Sequence, residues 1–149
     1  TLITRAEAYT YLKQYDKAAA DITSWQKSFT THTQTITPEM VDQFYGSMKY
    51  YNLNEGVITP KKTLSPDFTL EPGRQTNFIH CILHLRRITT LGEGLRWQDI
   101  RRYGITVQRR YVENEELMDI TDTMDKNDLR RVVQIPANVI AAGIEANPR

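Results

Sequence analysis

Arginines and glycines are concentrated in the stretch GEGLRWQDIRRYG, which runs from Gly92 to Gly104. Its three arginines are Arg96, Arg101 and Arg102. They could bind an anion or a sugar phosphate, because glycines near a helix start favour negatively charged ligands. The spacing matches no phosphate-binding loop, since there is neither a G-x-G-x-x-G pattern nor a lysine–serine pair after a glycine. An anion site is therefore not the preferred interpretation of this stretch.

A structural role explains the same residues more simply. A nearby carboxylate, either Asp99 or Glu93, can neutralise Arg96, while the adjacent Trp97 buries a large apolar area. Arginines form structural ion pairs far more often than they take part in chemistry. We therefore predict that Arg96, Trp97 and Asp99 are a structural signature and that the Trp97 side chain is buried.

Two histidines and a cysteine form the second candidate cluster. His80 and His84 are four residues apart, which places them on one face of a helix, and Cys81 follows His80. A zinc site needs a third or fourth ligand, and none stands out by its spacing. The sequence also lacks H-E-x-x-H, G-x-S-x-G and recognisable cysteine–histidine signatures. We predict no enzymatic activity, no catalytic residue, no metal and no cofactor, and interpret the histidines as the polar flank of a packed helix.

Tyr50 and Asn52 form the third candidate, where a predicted helix meets a long loop containing prolines. Tyr51 continues the apolar side of that helix, so its neighbour Tyr50 is expected to point away from it. An exposed aromatic ring can stack on the apolar face of a sugar, and an amide can bind its hydroxyl groups. The alternative is a tyrosine that covers the loop, since tyrosine is commonly half-buried. We predict a minor ligand contact at Tyr50 and Asn52.

The composition narrows the class of protein. The chain has 149 residues, of which 40% are apolar and 25% are charged, as in ordinary globular domains. Its net charge of +1 provides no overall field for nucleic acid or an anionic membrane, and we predict no nucleic-acid partner. The sequence contains no apolar run of membrane-spanning length and no secretory signal.

Periodic apolar residues predict a helical hairpin over residues 1–31. Two sets of apolar side chains recur at steps of three and four residues, on either side of KQYD, where Asp16 is a candidate N-cap. The two sets are Leu2, Ala6, Tyr9 and Leu12, followed by Ala18, Ile22, Trp25 and Phe29. The hairpin resembles one tetratricopeptide unit, which needs neighbours to bury its faces.

The remainder, residues 32–149, is predicted to hold packed helices and a few extended segments. Thr37 and Pro38 begin a helix that runs to Tyr51, and an ordered loop follows up to residue 73. A long central helix is predicted at about 75–91 and a short one at about 95–102. ITVQRRYV and LMDIT alternate as strands around the turn ENEE, RVVQIP is extended, and Pro136 begins a last short helix. The predicted fold is therefore mainly α, with a small β-hairpin or extended segments near the C-terminus.

Three stretches together resemble the SusD/RagB-like nutrient-binding lipoproteins of the bacterial outer membrane. RAEAYTYLKQYDKAAADI, residues 5–22, is similar to the recurrent helical hairpin of that family. ILHLRRITTLGEGLRWQDIRRYG, residues 82–104, is similar to its most recognisable stretch, and QIPANVIAAGIEANPR, residues 134–149, to its closing segment. The family often has a glutamate before the paired arginines, where this sequence has Leu85, so the partners of Arg86 and Arg87 stay open.

The resemblance implies that residues 1–149 are the C-terminal part of a larger SusD-like protein, with any membrane anchor outside this chain. It implies a protein exposed on the surface of the outer membrane that captures oligosaccharides or other nutrients. It also implies a SusC-like outer-membrane transporter as partner, with the tetratricopeptide-like helices facing that partner. Ligand residues vary in the family, so the resemblance assigns none here.

Two other classes of function compete with nutrient capture. An intracellular tetratricopeptide-type scaffold for protein interactions should repeat its motif at about 34 residues, and residues 37–51 do not repeat it. The strand-like segment at 105–121 is also foreign to such a solenoid. A glycan-active enzyme would need two carboxylates across a cleft at about 5–10 Å, and the sequence does not indicate such a pair.

Overall fold

The computed structural model describes residues 1–148, apart from the side chain of Leu117. These residues form six α-helices, one two-stranded antiparallel sheet and a 3₁₀ turn, which confirms the prediction of a mainly helical chain with a small β-hairpin near the C-terminus. The elements are α1 (Leu2–Tyr11), α2 (Tyr15–Phe29), α3 (Pro38–Ser47), α4 (Arg74–Thr89), α5 (Arg96–Arg102), β1 (Val107–Glu113), β2 (Glu116–Met124), the 3₁₀ turn Leu129–Arg131 and α6 (Ala137–Ala141).

The chain divides into two compact units. The first unit consists of Thr1–Thr63 and Phe68–Trp97, and therefore contains α1 to α4. The second consists of Leu64–Asp67 and the residues from Gln98 onward, and contains the β-hairpin and α6.

In the first unit, α1 and α2 pack as a hairpin whose contact is built from small side chains. Ala6, Ala18 and Ala19 are buried, which lets two helices approach closely. Each predicted apolar stripe is wrong at its last residue, since the side chains of Leu12 and Phe29 are exposed. The predicted N-cap is also wrong, because α2 begins at Tyr15 and leaves Asp16 in the first turn.

Helix α3 begins as predicted and ends earlier. The Thr37 hydroxyl accepts the backbone N–H of Met40 at 3.3 Å, and Pro38 occupies the first turn. The prediction that the helix runs to Tyr51 is wrong, because α3 ends at Ser47. The Lys61 ammonium, from outside the helix, donates to the carbonyl of Tyr45 in its last turn and to that of Met48 just after it. It thereby satisfies two acceptors that the end of the helix leaves open.

Helix α4 carries the core of the first unit, as its wide apolar arc predicts. Phe78, Ile79 and Ile82 are fully buried. An ion pair connects α4 to the N-terminal hairpin: the Arg86 guanidinium binds the carboxylate of Glu7, a buried residue of α1. The first of the paired arginines therefore has a carboxylate partner, although the residue before it is Leu85.

The second unit is organised around a turn and a buried arginine. Gly104 has a φ of +59°, and a Cβ there would lie 2.1 Å from the carbonyl oxygen of Ser65, so only glycine fits. The Arg131 guanidinium is buried and donates to backbone carbonyls, including those of Ile100 and Ile105. These bonds hold the end of α5 and the residues after it against the 3₁₀ turn.

Strands β1 and β2 pair antiparallel through a tight turn at Asn114 and Glu115, both in the left-handed region. The register is irregular on either side of Arg110, as in a β-bulge. Pro136 precedes α6 and Gly143, with a φ of +100°, follows it, as the sequence predicts. The prediction that RVVQIP is extended is wrong at Arg131, which ends the 3₁₀ turn, whereas Val132 after it has an extended backbone.

Candidate functional site

The segment from residue 49 to 62 doubles back on itself after α3 and brings a tyrosine pair against a lysine pair. Asn52 and Val57 exchange backbone hydrogen bonds of 3.0 and 2.8 Å, and the N–H of Tyr51 donates to the carbonyl of Lys61 at 2.7 Å. Gly56, with a φ of +67°, completes the turn between them. We call Tyr50, Tyr51, Lys61 and Lys62 the tyrosine–lysine cluster.

Tyr50 lies at the surface, as predicted, with 46% of its side chain exposed. The ammonium of Lys61 lies 4.5 Å from the centroid of its ring, within the range of a cation–π contact. Lys61 itself is buried and donates to the carbonyls of Tyr45 at 2.5 Å and Met48 at 3.2 Å. Burial lowers the pKa of Lys61. The exposed ring therefore covers a buried cation.

His80, on α4, packs against the same tyrosine. The two rings meet edge to face, with centroids 5.6 Å apart. His80 is 97% buried, and its Nε2 atom has no hydrogen-bond partner in the described part of the chain. Burial and the nearby Lys61 lower the pKa of His80 to about 4, so the imidazole is neutral at pH 7.

The second histidine, His84, lies one helical turn further along α4 and contacts a tyrosine. The Tyr45 hydroxyl and His84 Nδ1 are 3.0 Å apart, and the same hydroxyl also interacts with the thiol of Cys81. Burial raises the pKa of Cys81 to about 12, so its reactive thiolate form is scarce at neutral pH. Within residues 1–148, no three His, Cys, Asp or Glu side chains are placed to hold a metal ion.

Lys62 occupies a different environment from its neighbour Lys61. Its ammonium lies over the ring of Tyr51, and its side chain is half-buried. Burial, together with the charges of Arg87 and Arg96, lowers the pKa of Lys62 to about 8. The two arginine charges therefore disfavour the protonated form of Lys62.

The two predicted ligand residues, Tyr50 and Asn52, have different surroundings. Tyr50 presents an exposed ring, whereas the Asn52 side-chain oxygen accepts the backbone N–H of Asn54 at 3.1 Å and so shapes the turn. They stand two residues apart in the same extended segment, and their role in ligand contact stays a prediction.

The three residues of the predicted structural signature, Arg96, Trp97 and Asp99, differ in burial. Asp99 is buried, whereas Arg96 and Trp97 are only half-buried, so the prediction of a buried Trp97 is wrong. Two left-handed glycines, Gly92 and Gly94, set the turn before α5. Trp97 stands at the start of that seven-residue helix, and the large tryptophan ring is rarely enclosed completely.

The lysines of this cluster do not stand out in the sequence analysis. One signal could have indicated them: Tyr50-Tyr51 and Lys61-Lys62 flank a short stretch with an Asn-Glu-Gly turn, as expected for two segments that meet. Which lysine turns inward could not be inferred, because the acceptors of Lys61 are carbonyl groups at the end of α3.

No described helix is both long and apolar enough to cross a bilayer. The buried Lys61, the half-buried Lys62, the two tyrosines and the neutral His80 make the end of α3 and the adjoining loop the best candidate site of the first unit. No family model, curated protein or solved structure matches this chain.

Proposed function

We propose that this chain is part of a SusD/RagB-like surface protein that captures oligosaccharides or other nutrients and works with an outer-membrane transporter. The resemblance of residues 5–22, 82–104 and 134–149 to successive parts of that family is the observation that carries the proposal. On this proposal, the chain is the C-terminal region of the protein.

Two packing features support the proposal. The buried alanines at the α1–α2 contact fit a tetratricopeptide-like hairpin, in which small residues allow close packing. The Glu7–Arg86 ion pair joins this hairpin to the helix that carries the paired arginines, and so connects two of the similar segments. Both features are consistent with a single packing unit that contains the first two similar segments.

The connection between α3 and α4 favours this proposal over an intracellular scaffold of tetratricopeptide repeats. Such a repeat would join its two helices by a tight turn, as α1 and α2 are joined. Here residues 48–73 separate α3 from α4 and form the loop that carries the tyrosine–lysine cluster. A long ordered loop on a helical scaffold is a common place for ligand contacts.

The proposal is tested by locating the intact protein and finding its partner. We expect an affinity-tagged copy, expressed from its natural locus, to be accessible to protease on whole cells and to purify with an outer-membrane transporter. Recovery in the cytosol with soluble protein partners would instead support the scaffold. Neighbouring genes give an independent check, since a transporter gene beside this one is expected.

The glycan contact is tested with variants of two exposed aromatic residues. Tyr50→Leu keeps an apolar cover over Lys61 but removes the aromatic ring, and Phe44→Leu makes the matched change at a residue that is 57% exposed. Calorimetry with an oligosaccharide that the intact protein binds should show weaker affinity for Tyr50→Leu by roughly fivefold, equivalent to about 1 kcal/mol of stacking. Equal affinities for both variants would remove Tyr50 from the site.

A further inference from the structure

The cation–π contact at Tyr50 is reversed relative to two other such contacts in the first unit. Lys17 and Arg74 lie over half-buried tyrosine rings, at 5.6 and 5.9 Å from the centroids, and both cations are exposed. At Tyr50 the cation is the buried partner, because Lys61 is 4% exposed whereas the tyrosine is 46% exposed. The Tyr50 ring therefore lies between a buried charge and the solvent.

Two buried side chains hold this ring from its inner side. The Lys61 ammonium lies over the ring at 4.5 Å from the centroid, and its hydrogen bonds to the carbonyls of Tyr45 and Met48 fix its own position. His80, also buried, packs against the ring edge to face at 5.6 Å. Because Lys61 is buried, the face of the ring that it occupies is turned inward. The opposite face and the rim are left for contact with a ligand.

The charge behind the ring has no counter-charge within residues 1–148. Lys61 forms no ion pair with a carboxylate there, whereas Lys13 of the same unit binds Glu71 at 2.7 Å. The two groups that accept its hydrogen bonds are uncharged carbonyls. Since salt screens a buried charge much less than an exposed one, the field of Lys61 extends to the outer face of the ring.

We propose that Lys61 determines the specificity of the Tyr50 surface, so that the outer face of the ring takes uncharged sugar rings and rejects sugars that carry a protonated amine. This inference rests on the proposed function, because it names which sugars of the nutrient class are accepted. A free aromatic face attracts cations. At Tyr50 the buried ammonium already uses that attraction on one face.

Repulsion between two cations gives the discrimination its size. A second cation at the same distance on the outer face would lie about 9 Å from the Lys61 ammonium, with only the ring between them. At an effective dielectric constant of about 20, repulsion over that distance weakens binding by at least roughly tenfold. The apolar C–H face of an uncharged sugar is not repelled and keeps its contact with the ring.

The test compares two trisaccharides that differ in one group per sugar. A β-1,4-linked glucose trimer has a hydroxyl at C2, where the β-1,4-linked glucosamine trimer has an amine that is protonated at pH 5.5. His80 is neutral at that pH, since its pKa is about 4. In NMR titrations of the full chain, the glucose trimer should shift the Tyr50 ring signals and the glucosamine trimer should bind at least tenfold more weakly. Equal affinities, or no shift of the Tyr50 signals with the glucose trimer, would overturn the proposal.

Two variants establish whether Lys61 is responsible. Lys61→Gln keeps an amide donor for the carbonyls but removes the charge, and should bring the two affinities within threefold of each other. Lys49→Gln removes an exposed charge from the same segment and should leave the tenfold difference in place. Circular dichroism checks that both variants fold. Equal effects of the two changes would show a general charge effect and would contradict a specific role of Lys61.

A second measurement on the unmodified chain needs no variant, and so covers the case in which Lys61→Gln does not fold. The glucose trimer should shift the side-chain ¹H–¹³C signals of Lys61 together with those of the Tyr50 ring, because the two groups share one contact. Shifts confined to other residues would place the sugar elsewhere and reject the proposal.

The outcome is separable from that of the proposed function. Discrimination that depends on Lys61, in a protein that stays in the cytosol, would support the specificity role and reject surface capture. Purification with an outer-membrane transporter, together with equal binding of the two trimers, would support surface capture and reject the specificity role.

Discussion

The Lys61 ammonium lies 4.5 Å from the centroid of the Tyr50 ring, so an exposed aromatic side chain covers a buried cation. The same ammonium donates to the carbonyls of Tyr45 and Met48, where α3 ends. One side chain thus completes the end of a helix and supports the surface residue that the sequence predicts to contact ligand.

Replacement of Lys61 by methionine should destabilise the chain. It removes two charge-assisted hydrogen bonds and leaves two carbonyls at the end of α3 without their donor, at a cost of about 3 kcal/mol. Urea unfolding followed by circular dichroism measures the change. Lys49→Met is the matched control, because Lys49 is exposed and its loss should change stability by less than about 0.5 kcal/mol. Equal stabilities would show that the ammonium is not needed.

The Glu7–Arg86 ion pair leads to a second prediction. Glu7→Gln leaves the partly buried guanidinium without its counter-charge, and should lower the unfolding free energy by about 3 kcal/mol. Thermal unfolding checks this, and Glu71→Gln serves as control, because Glu71 forms an exposed pair with Lys13. The control should keep the melting temperature of the unmodified chain. A double change, Glu7→Leu with Arg86→Leu, should recover part of the loss, since it removes both charges.

His80 predicts how stability depends on pH. Its pKa is lowered to about 4 in the fold, against about 6.5 in an unfolded chain, so the unfolded state binds a proton first as the pH falls. Stability due to His80 is therefore fully present at pH 7 and is lost between about pH 6.5 and 4, by roughly 3 kcal/mol. His80→Gln should flatten this part of the curve, whereas His32→Gln, at an exposed position, should leave its shape unchanged. A wild-type curve that is already flat would contradict the prediction.

Gly94 and Gly104 both have a positive φ but differ in the space around them, so that alanine substitutions can be compared. At Gly104 a Cβ would meet the Ser65 carbonyl oxygen at 2.1 Å, whereas at Gly94 nothing lies within 4 Å of it. Gly94→Ala should therefore cost only backbone strain, about 1–2 kcal/mol. Gly104→Ala adds overpacking, about 1–3 kcal/mol more. Chemical denaturation of both variants gives the difference, and equal losses would show that Ser65 moves aside freely.

Elements with strong local signals could be predicted from the sequence. The wide apolar arc of α4, the Thr37-Pro38 start of α3 and the Pro136 start of α6 all follow from patterns within a few residues. Burial was less predictable, because an apolar residue in a helical stripe need not be covered: Leu12 and Phe29 are exposed and Trp97 is half-buried.

The candidate site depends on contacts between distant parts of the chain, which local patterns do not contain. Glu7 is buried because its partner is Arg86, 79 residues away in the chain. Lys61 is buried because the end of α3 offers it two carbonyl groups. Local patterns therefore indicate Tyr50 but not the two lysines beside it, and they predict a polar helix flank at His80, which is enclosed.

The irregular pairing of β1 and β2 affects how the chain behaves at high concentration. A two-stranded ribbon exposes backbone N–H and C=O groups along its outer edges, where strands of other molecules could add. The register shifts around Arg110 interrupt those edges in the middle of β1, and bulges increase the local twist. Charged residues on both strands, among them Arg109 and Asp119, further disfavour close approach. We therefore expect the hairpin to be a poor template for fibril growth.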